Sequence, residues 1–202
     1  RDSLGLCLQF VLKRTETNLE WYKTSAVEKQ YLSAIVGDKI VLHAVYRWFS
    51  RIGGLGENSK RVMHEFRTDK TIMDLVKSGR YESISIVAHT RWASVGQVNL
   101  KNVHPHINLN KTNKLVPTIL SFVNGDIYNY LEIFRNMVSQ EGVDYNLNQE
   151  NDSIALSYEF SKKDSMKTKN RIKKNLSNIV GSITAVVLSD EIPGKVLIIK
   201  KR

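Results

Sequence analysis

Two short apolar runs, each followed at once by polar residues, organise the pattern of this chain. Residues 84–88 are rich in β-branched side chains and are bounded by polar positions, which predicts a buried strand. Residues 120–123 predict a second strand in the same way. The first run leads into HTRWASVGQVNLKNVHPH at residues 89–106, and the second leads into NGDIYNY at residues 124–130. Charged, amide and imidazole side chains therefore follow two predicted strands, which is typical of a binding site.

The remaining apolar positions predict a chain of mixed α and β structure. Helical spacing predicts four helices, at residues 26–36, 71–78, 130–138 and 162–178. Residues 39–49 fit either a strand or a further helix, and the alternation over residues 182–199 predicts a closing β-hairpin. The Gly-rich residues 52–58 lack the Lys and hydroxyl ending of a phosphate-binding loop, so an ordinary loop is predicted there.

Composition bounds the class of protein. The 202 residues, 42% of them hydrophobic, suffice for one domain with a sizeable core. No apolar run is long enough to span a bilayer and no signal peptide is evident, so we expect a cytoplasmic protein with no membrane partner. The single cysteine, Cys7, cannot form an internal disulfide, and it lies in an apolar run where we expect it to pack as a hydrophobe.

The formal net charge of +10 raises the question of nucleic-acid binding. Most of the excess lies in residues 162–174 and in the last three residues, 200–202, and no aromatic side chain is interleaved with that basic run. Stacking on bases is therefore unsupported, and charge runs of this kind are usually solvated faces. Nucleic acid is not the expected partner.

Several candidate residues also have an ordinary structural explanation. Arg91 and Trp92 could form a surface cation–π pair. Asn124 and Gly125 could form a hairpin turn. Asp152 could simply cap a helix that begins just after it. Each explanation is plausible alone, but their joint occurrence favours a site.

The two histidines of the HPH segment, His104 and His106, have a different alternative, which is a metal site. No carboxylate or thiol is suitably placed nearby in the sequence to act as a third ligand. No bound metal is therefore expected.

Three motifs in fixed order, HTRWAS-x-G, N-x-HPH and NG-x-I-x-NY, resemble the glutaminase domain of class II glutamine amidotransferases, most closely that of glucosamine-6-phosphate synthases. Residues 2–6 resemble the DS-x-G start of that family, and residues 181–187 and 196–199 resemble its last hairpin. The resemblance implies an α+β fold, a four-layer αββα sandwich of the N-terminal-nucleophile hydrolase type. It covers residues 1–202 as one type-2 amidotransferase domain, with both ends expected to be cut and an extra segment around residues 15–70.

The resemblance also implies hydrolysis of L-glutamine to glutamate and ammonia, without a cofactor. The nucleophile of the family is an N-terminal cysteine, which we expect upstream of residue 1. Cys7 is a poor substitute, because it follows the turn at Asp2 and Ser3 instead of preceding it.

The residue types suit a site for glutamine. Arg91 offers a planar fork that matches the α-carboxylate, and Asp152 can pair with the α-ammonium group. Asn124 and Gly125 are expected to donate hydrogen bonds to the oxyanion that forms when the amide is attacked. The other site residues implied by the family are Trp92 and Ser94 in the pocket wall and the supporting histidines His89, His104 and His106.

Ammonia released into water would largely be lost as ammonium, so the resemblance implies an acceptor domain, either C-terminal or separate. The closest match implies a phosphosugar-binding domain that converts fructose 6-phosphate to glucosamine 6-phosphate, and a homo-oligomer formed through that part. The alternatives are the glutaminase domain of an asparagine-synthetase-like enzyme and a catalytically silent module that binds glutamine or a partner. Three departures from the family pattern, Val95, Val123 and Asn151 in place of two histidines and a hydroxyl residue, leave the acceptor open.

Overall fold

The computed structural model describes most of the chain and divides it into two compact units. The described residues are 2–14, 29–50, 56–92, 100–108, 118–141, 151–162, 166 and 168–202. The first unit comprises Arg1–Pro105 and Ile192–Lys195, and the second comprises His106–Glu191 and Val196–Arg202. Each unit contains one sheet and its helices.

The first unit contains a four-stranded antiparallel sheet and two helices. In chain order its elements are β1 (Asp2–Lys13), β2 (Lys29–Val36), β3 (Lys39–Ser50), α1 (Glu57–Thr68), α2 (Lys70–Ser78) and β4 (Ser83–Trp92). The strand order is β2-β3-β1-β4, so β1 pairs with both β3 and β4. A single 3-10 turn, Leu100–Asn102, follows β4 in the described chain.

Alternation along β1 decides which face of this sheet the helices cover. The even-numbered apolar residues of β1, from Leu4 to Leu12, pack with Val62 of α1 and Ile72 of α2 in one buried cluster. The odd-numbered residues point to the opposite face. Cys7 is fully buried there, as predicted, and burial raises the pKa of its thiol well above the usual range.

Strands β2 and β3 form a hairpin, which corrects the helix predicted at residues 26–36 over residues 29–36, while residues 26–28 lie outside the described residues. Val36 pairs with Lys39, so the two strands are joined by a two-residue turn that begins with Gly37. The φ of Gly37 is +63°, a conformation that glycine adopts at little cost. The apolar positions of this segment have helical spacing, but pairing with β3 along the whole of β2 selects the strand. Residues 39–49, whose pattern fits either a strand or a helix, form most of strand β3.

Strand β4 confirms the strand predicted at residues 84–88 but corrects its burial and its end. It lies at the edge of the sheet, and Ile86 is 60% exposed because the strand has a single neighbour, β1. The strand also continues through Trp92, so His89 and Arg91 lie within it and not in a turn after it.

The second unit contains a second four-stranded antiparallel sheet and three helices. In chain order its elements are β5 (His106–Asn108), β6 (Ile119–Ile127), α3 (Tyr130–Glu141), α4 (Ile154–Ser161), α5 (Thr168–Ser177), β7 (Gly181–Ser189) and β8 (Leu197–Lys201). The strand order is β5-β6-β7-β8. Phe134 of α3 and Leu156 of α4 pack with Val123 of β6 and Ile183 of β7 in one core.

Helix α5 begins later than the apolar spacing predicts. Lys162, the predicted first residue, is the C-terminal cap of α4 and so belongs to the end of the preceding helix. Met166, inside the predicted helix, is 47% exposed, whereas Ile172 and Leu176 of α5 pack against the core of the second unit. Helix α3 and the hairpin of β7 and β8 lie where the sequence predicts them.

The predicted α+β class is confirmed. Each unit supplies one sheet layer and one layer of helices, which are the components of the four-layer αββα sandwich that the resemblance implies. Within the described ranges, no helix is long and apolar enough to cross a membrane. The loop predicted at residues 52–58 falls largely outside the described residues, and α1 begins at Glu57.

Candidate functional site

In the first unit, the register of β1 against β4 places the start of β1 beside Arg91. Ser3 pairs with Arg91, and Gly5 pairs with His89. Because the strands are antiparallel, the N-terminal end of β1 meets the C-terminal end of β4. Ile84 of β4 belongs to the cluster beneath the helices, so His89 and Arg91, at odd positions, lie on the opposite face of the sheet.

The segment around His104 packs on that same face. A Cβ atom at Gly5 would lie 1.6 Å from the carbonyl oxygen of His104, so only glycine leaves room for this backbone. The ring of His104 meets the ring of His89 edge-on, with the centroids 4.4 Å apart. Arg91 Nη1 donates to the carbonyl oxygen of Asn102 at 3.2 Å. Two predicted site residues, His89 and Arg91, therefore contact the segment that carries His104.

Arg47 of β3 is a further residue of this group. Its Nη2 donates to the carbonyl oxygen of Pro105 at 2.9 Å, and its Nη1 donates to Gln30 Oε1 at 3.1 Å. Burial lowers the pKa of Arg47 to about 10, which leaves the guanidinium protonated at neutral pH. Arg47 pairs with Gly5 across β1 and β3, so these two residues contact the His104–Pro105 segment from adjacent strands.

The surroundings of the His89 ring favour its neutral form. Burial, and then the positive charge of Arg91, lower the pKa of His89 below its ordinary value. His104 is also buried. A second positive charge beside Arg91 is therefore disfavoured at neutral pH.

In the second unit, Asn124 and Gly125 lie within β6 and do not form a hairpin turn. They pair with Thr184 and Ile183 of β7. Gly125 has φ +120°, and a Cβ atom there would lie 2.0 Å from the carbonyl oxygen of Ser182, so the position requires glycine on both grounds. The side chain of Asn124 is exposed, and it lies on the sheet face opposite the helices.

Asp152 is directed at the end of the same strand. Its Oδ2 accepts a hydrogen bond from the backbone N–H of Ile127 at 2.6 Å, and its Oδ1 accepts from the Ser153 hydroxyl at 3.4 Å. Helix α4 has Ser153 as its N-cap residue, with no side-chain capping bond. The capping explanation of Asp152 is therefore wrong, because its carboxylate accepts a hydrogen bond from Ile127 of β6 and none from the N-terminal N–H groups of α4.

His106 is tied to the residue before Asp152. Its Nε2 lies 3.1 Å from Asn151 Nδ2, and its carbonyl oxygen accepts from the Ser157 hydroxyl at 3.1 Å. Asn151 Oδ1 accepts from the backbone N–H of Ser153 at 3.1 Å. His106 and Asn151 are both buried.

The structure groups the predicted residues by unit. The first unit contains His89, Arg91, Trp92 and His104, and the second contains Asn124, Gly125, Asp152 and His106. Ser94 and Val95 lie outside the described residues. Over the part of the chain that the structure describes, no group of three or more His, Cys, Asp or Glu residues could hold a metal ion.

The motifs do not identify two residues that contact the predicted site residues or their segments, Arg47 and Asn151. Arg47 leaves a signal in the sequence, because it is a single charge inside the apolar and aromatic run of β3. Asn151 is visible only as a departure from the family pattern, since nothing in its spacing points to His106.

No family model matches the chain. Among curated proteins it is similar to the glutamine–fructose-6-phosphate aminotransferase (isomerizing) of Chlamydia caviae, with 28% identity over 131 residues that cover 65% of this chain and 20% of the relative. It is also similar to the protein of the same name from Buchnera aphidicola, with 29% identity over 157 residues that cover 75% of this chain and 24% of the relative. The chain thus spans about a quarter or less of the length of the curated relatives it matches. These relatives confirm the resemblance predicted from the motifs.

Among solved structures, the chain is similar to one described as the allosteric regulatory enzyme of purine biosynthesis. The TM-score is 0.49 at 12% identity, over 94% of this chain and 36% of that one.

Proposed function

We propose that this chain, a relative of the glutamine–fructose-6-phosphate aminotransferases, is the glutaminase part of a class II glutamine amidotransferase. Residues 1–202 would then form one type-2 amidotransferase domain that hydrolyses L-glutamine to glutamate and ammonia. The observation that carries the proposal is sequence similarity over up to three quarters of the chain to proteins that all bear that name. The contacts of the predicted site residues support it.

The proposed nucleophile is a cysteine that precedes residue 1. Asp2 pairs with Trp92, so a residue just before β1 would enter the sheet at the end of β4, close to Arg91. A thiolate is the reactive form of cysteine, and it would attack the side-chain amide of glutamine. Arg91 would hold the α-carboxylate in a bidentate pair, and the bond from Arg91 to the carbonyl oxygen of Asn102 would fix the orientation of the guanidinium.

The proposed oxyanion donors are the Asn124 side-chain amide and the Gly125 backbone N–H. The antiparallel ladder with β7 fixes the backbone of both residues, and donors held in place before reaction cost no reorganisation as charge develops. The absence of a side chain at Gly125 also permits the close approach of the Ser182 carbonyl group that this ladder requires.

Asp152 is the proposed partner of the α-ammonium group. An ionised carboxylate accepts about four hydrogen bonds, and the bonds from Ile127 and Ser153 are directed at different oxygens of Asp152. The side chain is therefore held in one orientation and has acceptor capacity left for a cationic group. The charge of the ammonium does not change during hydrolysis, so the role of Asp152 is binding.

The proposed acceptor is fructose 6-phosphate, bound by a phosphosugar-binding domain C-terminal to this chain or docked to it. The acceptor is suggested by the name shared by the relatives. The phosphosugar-binding domain, and a homo-oligomer formed through it, are carried over from the sequence resemblance. Coupling is physically required, because ammonia that escapes into water at neutral pH is mostly protonated and no longer nucleophilic.

The test uses the intact protein. Purified protein is incubated with L-glutamine, and glutamate is measured with and without fructose 6-phosphate, while glucosamine 6-phosphate is sought by mass spectrometry. A parallel sample is treated with a glutamine-like reagent that alkylates thiols. Release of glutamate that the reagent abolishes, and that fructose 6-phosphate stimulates, is the expected result.

The other outcomes are informative. Binding of glutamine without turnover would identify a catalytically silent module and would refute the glutaminase. Turnover stimulated by aspartate and ATP, with no response to fructose 6-phosphate, would keep the glutaminase and transfer the acceptor to asparagine synthesis.

A further inference from the structure

The turn that carries Asp152 is anchored to β5 by a buried polar pair. Asn151 is 1% exposed and His106 of β5 is 3% exposed, and the two side chains are joined at 3.1 Å. Buried polar groups of this kind are costly unless they are hydrogen-bonded, so the pair is a specific contact and not a chance approach of two surface groups. Asn151 directly precedes Asp152 in the chain.

The bonding pattern fixes the orientation of the Asn151 amide. The backbone N–H of Ser153 can only donate, so the Asn151 atom that it meets at 3.1 Å is the carbonyl oxygen. The amide nitrogen must then face His106, and it donates to His106 Nε2. His106 therefore accepts at Nε2 and is neutral. One side chain thus closes the turn over Asp152 and bonds that turn to the neighbouring sheet.

We propose that Asn151 is a positioning residue for Asp152, and that it acts by bonding the 151–153 turn to His106. The inference rests on the proposed function, in which Asp152 binds the ammonium group of glutamine. Asp152 is then held from two sides, directly by the Ile127 N–H and indirectly through Asn151. Loss of the second anchor lets the turn move and weakens the first.

The residue type is part of the inference. A serine at position 151 could still accept from the Ser153 N–H, because serine hydroxyls in turns bond the backbone two residues further along the chain. Its hydroxyl is too short to reach His106 while doing so.

Three variants of the intact protein separate the possibilities. Asn151→Leu removes both bonds of the side chain at similar volume. Asn151→Ser keeps the bond to Ser153 and loses the bond to His106. Ser161→Ala is the matched control, because it removes a buried hydroxyl of the same helix, α4, that bonds the Tyr158 carbonyl oxygen and leaves the bonds of Asn151 and His106 in place.

The first measurement needs no glutamine. Hydrogen exchange of the Ile127 backbone amide, followed by NMR, reports the bond to Asp152 directly. We expect exchange to accelerate about tenfold in Asn151→Leu and measurably in Asn151→Ser, while Ser161→Ala leaves it unchanged. Wild-type exchange of Ile127 in Asn151→Ser would overturn the proposed anchor, and Asn151→Ser serves this purpose even where Asn151→Leu fails to fold.

The second measurement is glutamine turnover. KM for glutamine should rise about tenfold in Asn151→Leu with kcat little changed, and it should stay at the wild-type value in Ser161→Ala. A fall in kcat alone would contradict a positioning role for a binding residue. The two hypotheses remain separable, because Ile127 exchange decides the role of Asn151, whereas turnover by the unaltered protein decides the proposed function.

Discussion

Gly5 and the carbonyl oxygen of His104 are packed so closely that a Cβ atom at position 5 would lie 1.6 Å from that oxygen. Gly5 does not have a positive φ, so its own backbone conformation does not require glycine. The missing side chain is needed only to admit the His104 backbone. The DS-x-G and HPH motifs are therefore linked by one contact, in which the first leaves the space that the second fills.

Gly5→Ala should be strongly destabilising. The atoms nearest to the added methyl group are backbone atoms of His104 and Pro105, which cannot rotate away as a flexible side chain would. Overpacking of this kind costs about 3 kcal/mol or more when the neighbour cannot yield. Urea denaturation followed by circular dichroism measures the loss, provided that the slope of the transition is unchanged.

Gly37→Ala is the matched control for this substitution. Gly37 has φ +63° but no neighbouring atom within 4 Å of an added Cβ, so it tests backbone conformation without crowding. The expected cost is about 1–2 kcal/mol. A cost for Gly5→Ala below that of Gly37→Ala would show that the His104 segment is not held as described.

Asn124→Ala should lower kcat for glutamine hydrolysis about 10²- to 10³-fold with little change in KM, because the proposed bond forms only as the oxyanion develops. Asp126→Ala is the matched control, since Asp126 is also exposed and lies two residues further along the same face of β6. It should leave both constants unchanged.

The binding residues should give the opposite signature. Arg91→Ala is expected to raise KM at least tenfold, with a smaller effect on kcat. A tenfold change corresponds roughly to the free energy of one hydrogen bond to a charged group. A variant of Asn124 that changed only KM would remove Asn124 from the proposed oxyanion site.

His43 should make the protein lose stability as the pH falls below neutral. Gln9 Oε1 accepts from the Gly194 N–H at 3.2 Å, so the Gln9 amide nitrogen faces His43 Nε2 at 2.9 Å and that ring nitrogen accepts. Burial lowers the pKa of His43 to about 3. The unfolded value is about 6.5, so the unfolded state binds the additional proton between these values and stability falls as the pH drops through this window.

The size of this effect follows from the two pKa values. Between pH 7.5 and pH 5, His43 alone should cost about 2 kcal/mol of unfolding free energy. His43→Gln keeps an uncharged polar side chain and should remove most of that dependence in urea titrations at the two pH values. His64→Gln, at an exposed position of α1, is the control. An unchanged pH dependence in His43→Gln would show that the ring is not buried in its neutral form.

Local pattern predicts those elements whose period is unambiguous and whose neighbours are near in sequence. Helix α3 and the β7–β8 hairpin are of this kind. The segment at residues 29–36 is not, because its apolar residues have helical spacing and the strand is formed by pairing with β3. The end of β6 also depends on a partner, since Asn124 and Gly125 look like a turn until β7 pairs with them.

For the candidate site, too, the sequence predicts some features and not others. Ordered motifs predict which residues carry chemistry, because their types and order resemble those of a known family. The contacts that hold these residues are long-range and leave little trace in the spacing. Arg47 contacts Pro105 from 58 positions away, and His106 contacts Asn151 from 45 positions away. Such pairs become visible only when the sheets are formed.

Asp69 connects three elements of the first unit through one buried carboxylate. Its Oδ2 accepts from the hydroxyl groups of Tyr31 in β2 and Tyr46 in β3, the latter at 2.7 Å, and Lys29 Nζ lies 2.9 Å away. Its Oδ1 accepts from the Ile72 N–H at 3.3 Å and so caps α2. Burial alone would raise the pKa of Asp69, but these hydrogen bonds lower it overall.

Asp69→Asn should therefore cost about 3–5 kcal/mol at neutral pH, because it removes the negative charge to which four donors are directed inside the protein. Tyr46→Phe should cost about 1–3 kcal/mol, since it leaves a buried acceptor with one donor fewer, whereas Tyr81→Phe, which removes a hydroxyl remote from Asp69, should cost under about 0.5 kcal/mol. The double variant of Asp69 and Tyr46 should be less destabilised than the sum of the single variants.

The pH dependence supplies an independent check on Asp69. A folded pKa below the unfolded value of about 3.9 stabilises the protein above that value, and this contribution is lost as the pH falls through the folded pKa. The cost of Asp69→Asn should accordingly shrink when urea titrations at pH 7 are repeated near pH 3.5. Additive single variants, together with a cost that does not change with pH, would mean that the carboxylate does not bind the two tyrosines and that α2 is held to the sheet by apolar contacts alone.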